Sequence, residues 1–237
     1  MRRSLRADAE KVIGDQLRDA AGDGSVEIDI RIVEGEAFVE IVHLARGAEA
    51  DLIVLGMHRK QGAKELFVGT TMERVLRLSD RPVLVVKDRP SKPYERVLIP
   101  VDFSVPSRRA LAAACRLVPG GDFHVIHSFE VPFAGFITGD AARREAEAEH
   151  RARLEAMVEA EMAQLLDEFP GLPGQVTSSV HRGAVMQVIQ DRVNALRPDL
   201  IVLGTHGRTG IAKAMLGSVA LEILSEPPSD VLAVGAW

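Results

Sequence analysis

The chain has few residues of several kinds, and each shortage excludes a class of protein. Its 237 residues include one cysteine, Cys115, so neither an intrachain disulfide nor a metal site with two cysteine ligands can form. Aromatic residues make up only 4% of the chain, which leaves the core to aliphatic side chains. No run reaches the roughly 20 apolar residues of a membrane span, and no apolar stretch follows the basic residues 1–6 as it does in a signal peptide.

The overall composition is that of an ordinary globular protein. Hydrophobic residues make up 46% and charged residues 27%, which excludes a disordered or collagen-like chain. The net charge of −5 argues against a dedicated nucleic-acid binder, which usually carries a basic excess. The single cysteine fits a reducing compartment, and we expect a cytoplasmic protein that binds neither membranes nor nucleic acids.

The chain contains two copies of one sequence pattern. The hexapeptide DLIVLG at 51–56 recurs unchanged at 199–204, 148 residues later, and the same spacing relates Gly69 to Gly217. The period is far longer than the roughly 20–50 residues of solenoid repeats, so it predicts two copies of a whole domain. We expect an incomplete, degenerate domain over 1–88 and a complete one over 94–237, separated by a proline-containing linker.

The second copy alternates strands and helices. Its strands are continuous apolar runs, which are typical of a parallel sheet with helices on both faces. We expect Ser104 to cap the first helix, and a long helix over 140–169 to face the sheet through an apolar stripe that includes Leu154 and Met157. The predicted strands are 96–101, 123–126, 175–180, 200–203 and 231–234, and the predicted helices are 106–117, 140–169, 184–196 and 219–224.

The first copy keeps only the later part of this scheme. Aligned with the second copy, it lacks about fifty residues at its start, including the first strand. The predicted helices lie near 5–20, 36–47 and 70–78, and the predicted strands near 26–33, 51–56 and 83–87. Two explanations stay open: sequence upstream of Met1 is missing, or the chain takes strands from a partner.

Glycines and a serine follow the predicted strand 200–203. Gly204, Gly207, Gly217 and Ser218 form the pattern G-x2-G-x9-G-[ST]. Glycine lets a ligand approach bare backbone, and the amides at a helix start attract anions. Ligands of open α/β sheets lie beyond the carboxyl ends of the strands, so the position suits a nucleotide. The spacing alone is also compatible with glycines that serve only turns and helix caps.

These residues, together with VLIPVDFS at 97–104, resemble the universal stress protein family in its tandem two-domain form. The resemblance covers nearly the whole chain. It implies an α/β fold of two Rossmann-like domains, with a parallel sheet of order 3-2-1-4-5 in the second and a first domain that lacks its first strands. It also implies that the last strands, 83–86 and 231–234, join the two halves or two chains, as an intramolecular pseudo-dimer or a homodimer.

Members of the family with this glycine pattern bind ATP, and the resemblance assigns roles by position. Asp102 would lie near adenine and ribose, Ser128 would meet the adenine edge, and Ser218 would hold the outer phosphates together with Mg²⁺. The nucleotide-binding residues that the resemblance implies are Pro100, Val101, Asp102, Ser128, Gly204, His206, Gly207, Gly217, Ser218 and Val219.

The first copy departs from this pattern. Arg59 stands where the second copy has Gly207, and the counterpart of Asp102 is absent. We therefore expect the first copy to bind no ATP.

Other candidate residues carry weaker signals. His58 and His206 occupy one position in the two copies, and a loop histidine bonded to backbone explains both better than catalysis does, because no nucleophile accompanies them. His124 and His127 are three apart on a predicted strand, so they make a poor metal pair. Arg208 and Lys213 suit phosphate steering and plain surface charge equally well.

The sequence thus predicts an ATP-binding regulatory protein of the stress response and not an enzyme. No P-loop and no G-x-G-x-x-G fingerprint is present, and no general base for attack by water is evident, so ATP hydrolysis should be slow at most. The alternatives are a hydrolase or phosphotransferase that uses the same glycine loop, and a scaffold that binds no nucleotide. The pattern does not decide between ATP and AMP.

Overall fold

The computed structural model describes residues 9–15, 27–57, 70–130, 141–169, 172, 174–205 and 216–235. In this part of the chain, seven strands form one sheet. The strands are β1 (Ile53–Gly56), β2 (Val83–Val86), β3 (Arg96–Pro100), β4 (Asp122–Phe129), β5 (Val176–Arg182), β6 (Leu200–Gly204) and β7 (Asp230–Val234). The helices are α1 (9–15), α2 (Ala37–Gly47), α3 (Thr71–Leu78), α4 (Val105–Leu117), α5 (Ala141–Asp167), α6 (Val185–Leu196) and α7 (Ser218–Ser225).

The strand order is β1-β2-β7-β6-β3-β4-β5. The five strands of the second half are parallel and stand in the order β5-β4-β3-β6-β7, which corresponds to 3-2-1-4-5 in their own numbering. β2 runs antiparallel to β7, with Val83 opposite Ala233 and Val85 opposite Val231. The last strands of the two halves therefore join within one chain, and the α/β fold contains one mixed sheet.

Each face of the sheet carries its own apolar core. On one face, Leu98, Ile126 and Ile201 pack with residues of α2, α3, α6 and α7. On the other, Val97 and Val202 pack with residues of α4 and α5. Because successive side chains of a strand point to opposite faces, the continuous apolar runs fill both cores at once.

Helix α4 begins as the sequence indicates. The Ser104 side chain accepts a hydrogen bond from the Ser107 amide, and Pro106 lies in the first turn, where a missing N–H costs nothing. Helix α5 follows its predicted stripe only in part: Met162 and Leu165 are buried, whereas Met157 is 63% exposed. The 27 residues of α5 span about 40 Å, but the seven of β5 span only about 23 Å, so the helix is longer than the strand it covers.

The strand predicted near 26–33 is wrong for the residues that are described. Residues 27–34 form no strand, and most of them are exposed. Their counterpart is β5, which lies beside β4 in the second half. No described strand of the first half lies beside residues 27–34, so in the described part of the chain the segment has no sheet partner for its hydrogen bonds. The helix predicted near 5–20 is seen over 9–15, and its remaining positions lie outside the described residues.

No helix in the described part of the chain combines the length and the apolar character needed to cross a bilayer.

Candidate functional site

The sheet has a topological switch point between β3 and β6. These two parallel strands are neighbours, with Val97 opposite Leu200. The chain leaves β3 into α4, which packs on one face, and leaves β6 towards α7, which packs on the other. The two connections therefore diverge at the carboxyl edge, where open α/β sheets bind their ligands.

Asp102 lies just beyond β3 and shapes the turn into α4. Its Oδ1 accepts hydrogen bonds from the Ser104 amide at 3.1 Å and from the Ser104 hydroxyl at 2.5 Å. The same hydroxyl oxygen accepts from the Ser107 amide at 3.3 Å. The carboxylate is half-buried and fixed by local contacts, so its position at the edge is set before any ligand arrives.

The residue between them, Phe103, is held in an uncommon conformation. Its φ of +61° lies in the left-handed region, which a residue other than glycine adopts rarely. Its buried ring lies 4.5 Å, centroid to centroid, from the ring of His127 on β4. His127 Nδ1 donates to the carbonyl oxygen of Val101 at 2.7 Å, so the ends of β3 and β4 are tied together.

The other implied residues of β3 and β4 lie at the same edge. Pro100 is the last residue of β3 and pairs with Ile126, and Ser128 lies two positions further along β4. Val101 is buried in the α4 core, so its side chain is not available to a ligand. Its N–H donates to the Ile126 carbonyl oxygen at 2.8 Å.

His181 of β5 stands opposite Ser128 in the sheet register. Its Nε2 lies 2.8 Å from the hydroxyl of Ser179, one of the two groups donating according to the ring tautomer. Burial lowers the pKa of His181 from its ordinary value, and the positive charge of Arg192 lowers it further. Both effects favour the uncharged form of the ring at this edge.

Gly204 ends β6 and is required by packing. A Cβ on Gly204 would lie 2.8 Å from Pro106 Cβ and 3.0 Å from the Ser107 nitrogen, in the first turn of α4. The space beside this glycine is thus filled by protein. This contact accounts for Gly204 without a ligand, which is the alternative that the spacing left open.

Gly217 has a different environment. It is the N-cap of α7, and its N–H donates to the Thr205 carbonyl oxygen at 2.7 Å, which anchors the helix start beside the end of β6. Its φ of −61° suits any residue, so the backbone conformation does not require glycine. Ser218 and Val219 follow in the first turn of α7, where amides have no acceptor within the helix. The start of α7 can therefore receive an anion.

Several candidates cannot be placed. His206, Gly207, Arg208 and Lys213 of the second half lie outside the described residues, as do His58, Arg59 and Gly69 of the first. In the described part of the chain, no three residues of the types that ligate metals come together. His124 bonds to the Thr177 hydroxyl at 2.8 Å, so its role there is local.

Sequence reasoning missed His127 and Thr205 as parts of this edge. The sequence suggests His127 only as a metal ligand, whereas in the structure it fastens β3 to β4. Thr205 is buried, and its carbonyl oxygen accepts a hydrogen bond from the Gly217 amide. The Asp-x-Ser spacing at 102–104, a known turn pattern, was the signal available for the Asp102–Ser104 contacts.

Comparisons with known proteins were made for the whole chain. The model of a family described as the universal stress protein family matches residues 1–87 and 93–235. Universal stress protein MJ0577 of Methanocaldococcus jannaschii is 42% identical over 60 residues, which are 25% of this chain and 37% of that protein. Universal stress protein E of Escherichia coli K12 is 25% identical over 230 residues, which cover 88% of this chain and 68% of that protein.

A solved structure supports the fold. The functionally unknown protein PA1789 from Pseudomonas aeruginosa PAO1 aligns with a TM-score of 0.65 over 97% of this chain and 77% of that one. The two sequences are 19% identical, so the likeness concerns architecture alone.

Proposed function

Because the chain belongs to the universal stress protein family, we propose that its second half binds ATP at the edge between β3 and β6. The observation that carries the proposal is Gly217. This glycine is not explained by its backbone angles, and it leaves the start of α7 without a side chain at the position where phosphates would approach. Ser218 and Val219 would offer their amides to the outer phosphates.

The other end of the nucleotide would lie along β3 and β4. Asp102 presents a carboxylate in a fixed position, which suits a ribose hydroxyl or an adenine amino group as hydrogen-bond donors. Pro100, Val101 and Ser128 lie at the same edge. Mg²⁺ would arrive with the phosphates as part of the nucleotide complex. Gly204 enters this proposal as a packing residue that keeps α4 close to β6.

We assign the nucleotide a regulatory role. The described edge supplies backbone amides and the Asp102 carboxylate, which already accepts a hydrogen bond from Ser104. No group of this described edge is positioned as a general base to activate a water molecule. Bound ATP would favour one conformation or one partner surface, and the protein would act in the cytoplasm as a nucleotide-dependent regulator of the stress response.

Equilibrium titration with Mg-ATP, followed by calorimetry, tests the proposal. We expect one nucleotide per chain and loss of binding in the double variant Gly217→Val with Ser218→Ala. Valine fits the φ of Gly217, so this variant should keep its fold. Absence of binding at millimolar ATP overturns the proposal, and unchanged affinity in the double variant overturns the site.

The first half provides the matched control. Thr70 is the counterpart of Ser218 and caps α3, its side chain accepting from the Glu73 amide. Thr70→Ala should cost about 1 kcal/mol of stability and leave ATP binding intact. Two bound nucleotides per chain would contradict a site confined to the second half. Turnover of ATP at about 1 per second or faster would favour the enzyme instead.

A further inference from the structure

The sheet of the second half ends at β5. Its five parallel strands form a continuous series from β7 to β5, and β5 is the strand farthest from β1 and β2, so this edge does not depend on the first half. Among the described strands, β5 pairs only with β4. The Gln175 carbonyl oxygen accepts from the Phe123 amide at 2.7 Å, and the Gly183 amide donates to the Phe129 carbonyl oxygen at 3.0 Å. Odd-numbered residues of β5 therefore bond to β4, and the N–H and C=O groups of even-numbered residues face outwards.

A groove of about 450 Å³ runs beside this edge, between β5 and α5. Ser178 and Val180, two of the even-numbered residues, line its strand side, and residues of α5 line the other side. The floor is apolar, because Met162 is buried and Leu166 packs in the same core as Val180. Outward-facing backbone groups thus lie along an apolar groove, which is the arrangement that receives an added strand in β-augmentation.

Two carboxylates stand on the α5 side of the groove. Glu159 and Asp167 are both exposed, and in the described part of the chain neither forms an ion pair. They are eight residues apart, which is about 12 Å along a helix axis. In a strand, residues i and i+4 point to one side and are about 13 Å apart. A strand that lies along the groove therefore brings such a pair of its side chains to the two carboxylates.

The charge of the groove decides between two kinds of occupant. A second copy of the chain would bring one basic residue of its β5 to this side, Arg182, together with its own Glu159 and Asp167. The carboxylates at such a junction would outnumber the guanidinium groups. A strand of another protein with two basic residues neutralises both carboxylates and adds no negative charge, so the groove is complementary to a basic partner.

We propose that this groove binds an extended basic segment of a partner protein, which adds a strand to β5. One basic side chain of the segment contacts Glu159, and a second, four residues away, contacts Asp167. The residue midway between them is apolar and packs over Leu166 and Val180. The segment thus has the pattern basic-x-apolar-x-basic. Main-chain hydrogen bonds to β5 contribute affinity, and the alternate side chains contribute specificity.

Fluorescence anisotropy with the labelled peptide TKTVTKT tests the proposal. The probe has lysines four residues apart, a valine midway, and threonines, which favour strands. We expect saturable binding and about tenfold weaker binding to the double variant Glu159→Gln with Asp167→Asn, because two charge-assisted contacts are lost. The matched control, Glu222→Gln with Glu226→Gln, removes the same charge from two exposed positions at α7 and should leave binding unchanged. Absence of binding, or equal weakening by the control, overturns the proposal.

A second peptide separates strand addition from simple attraction of charges. TTKVKTT has the same composition, but its lysines are only about 7 Å apart in a strand, and we expect it to bind more weakly. Equal binding of the two peptides overturns the proposal.

The variant Ser178→Pro tests the backbone contacts. It removes an N–H that faces outwards, so the hydrogen bonds between β5 and β4 remain, and circular dichroism checks the fold. We expect weaker binding of TKTVTKT. Sedimentation equilibrium without peptide tests the other occupant: a dimer that Ser178→Pro dissociates would show a second copy at this edge and would overturn the proposal. None of these measurements involves ATP, so their outcomes are independent of the proposed nucleotide site.

Discussion

The phenol of Tyr94 donates a hydrogen bond of 2.6 Å to Asp230, which joins the linker between the two halves to the first residue of the last strand. The other carboxylate oxygen of Asp230 accepts from the Lys87 amide at 2.8 Å. Asp199, at the start of β6, accepts from the Arg96 amide at 3.0 Å and is paired with Lys92. The linker is therefore fastened at both ends to the amino edge of the second-half strands.

The Tyr94 contact predicts an unusual titration. Burial raises the pKa of Tyr94 above its ordinary 10.0, and the hydrogen bond to Asp230 raises it further. Tyr94 is the only tyrosine, so ultraviolet absorbance reports this group alone. Because the folded pKa is raised, the stability that this group contributes is complete below pH 10 and is lost at higher pH. We expect no ionisation at pH 10 in the folded protein and a normal titration in urea.

The variant Tyr94→Phe should unfold at a lower urea concentration than the unsubstituted protein, because Asp230 loses a hydrogen-bond donor. We expect its free energy of unfolding near pH 7 to fall by about 1–2 kcal/mol. The difference from the unsubstituted protein should shrink above pH 10. An ordinary titration of Tyr94 in the folded state would contradict the contact.

Asp199 predicts a dependence of stability on acid pH. Burial by itself would raise its pKa, but hydrogen bonds from the Arg96 amide and from Lys92 outweigh burial and lower the pKa below its ordinary 3.8. A lowered carboxylate pKa contributes stability above pH 3.8 that is lost as the pH falls through the folded value. Thermal melting should show Asp199→Asn less stable at pH 6, with the difference closing below pH 3.8. Asp51→Asn, at the same place in the first copy, is the control and should change little.

Gly204→Ala should destabilise the protein, whereas Gly56→Ala should not. A Cβ at Gly204 would meet Pro106 Cβ at 2.8 Å, but a Cβ at Gly56 meets nothing within 4 Å. Overpacking of this kind costs about 1–3 kcal/mol, because α4 must shift away from β6. Urea unfolding of the two variants measures the difference. Equal stabilities of the two variants would show that Pro106 and α4 can move away from the added Cβ without loss of unfolding free energy.

Leu84 and Leu232 should be energetically coupled across the junction of the halves. They are partners in the antiparallel register, and both are buried. Each Leu→Ala substitution should cost about 2–5 kcal/mol. The double variant should depart from the sum of the single effects by about 0.5–3 kcal/mol, as expected of residues in contact. Additive effects would show that the two side chains do not interact across the junction.

Much of the architecture could be predicted from local signals. The apolar runs at 96–100 and 200–204 are strands, and Ser104 caps α4, because burial of both strand faces and a side-chain cap are determined by nearby residues. The pairing of the last strands was also anticipated, and it is confirmed within one chain. Residues 27–34 show the limit of this reasoning, since a sequence with strand periodicity forms no strand where no described strand lies beside it.

The site was predictable in type but not in detail. The glycine pattern indicated where a ligand would lie, yet Gly204 is a packing residue because Pro106 stands against it. That role depends on a contact between residues almost a hundred positions apart, which no local pattern contains. The same holds for the bond between His127 and Val101.

The antiparallel contact between β2 and β7 has a consequence for how the protein behaves on dilution. Two separate polypeptides that met through such strands would come apart as their concentration fell. Here a short tether supplies each strand to the other at a high effective concentration, which does not depend on the amount of protein present. The terminal strand of the second half is therefore kept from forming adventitious contacts even when the molecule is scarce.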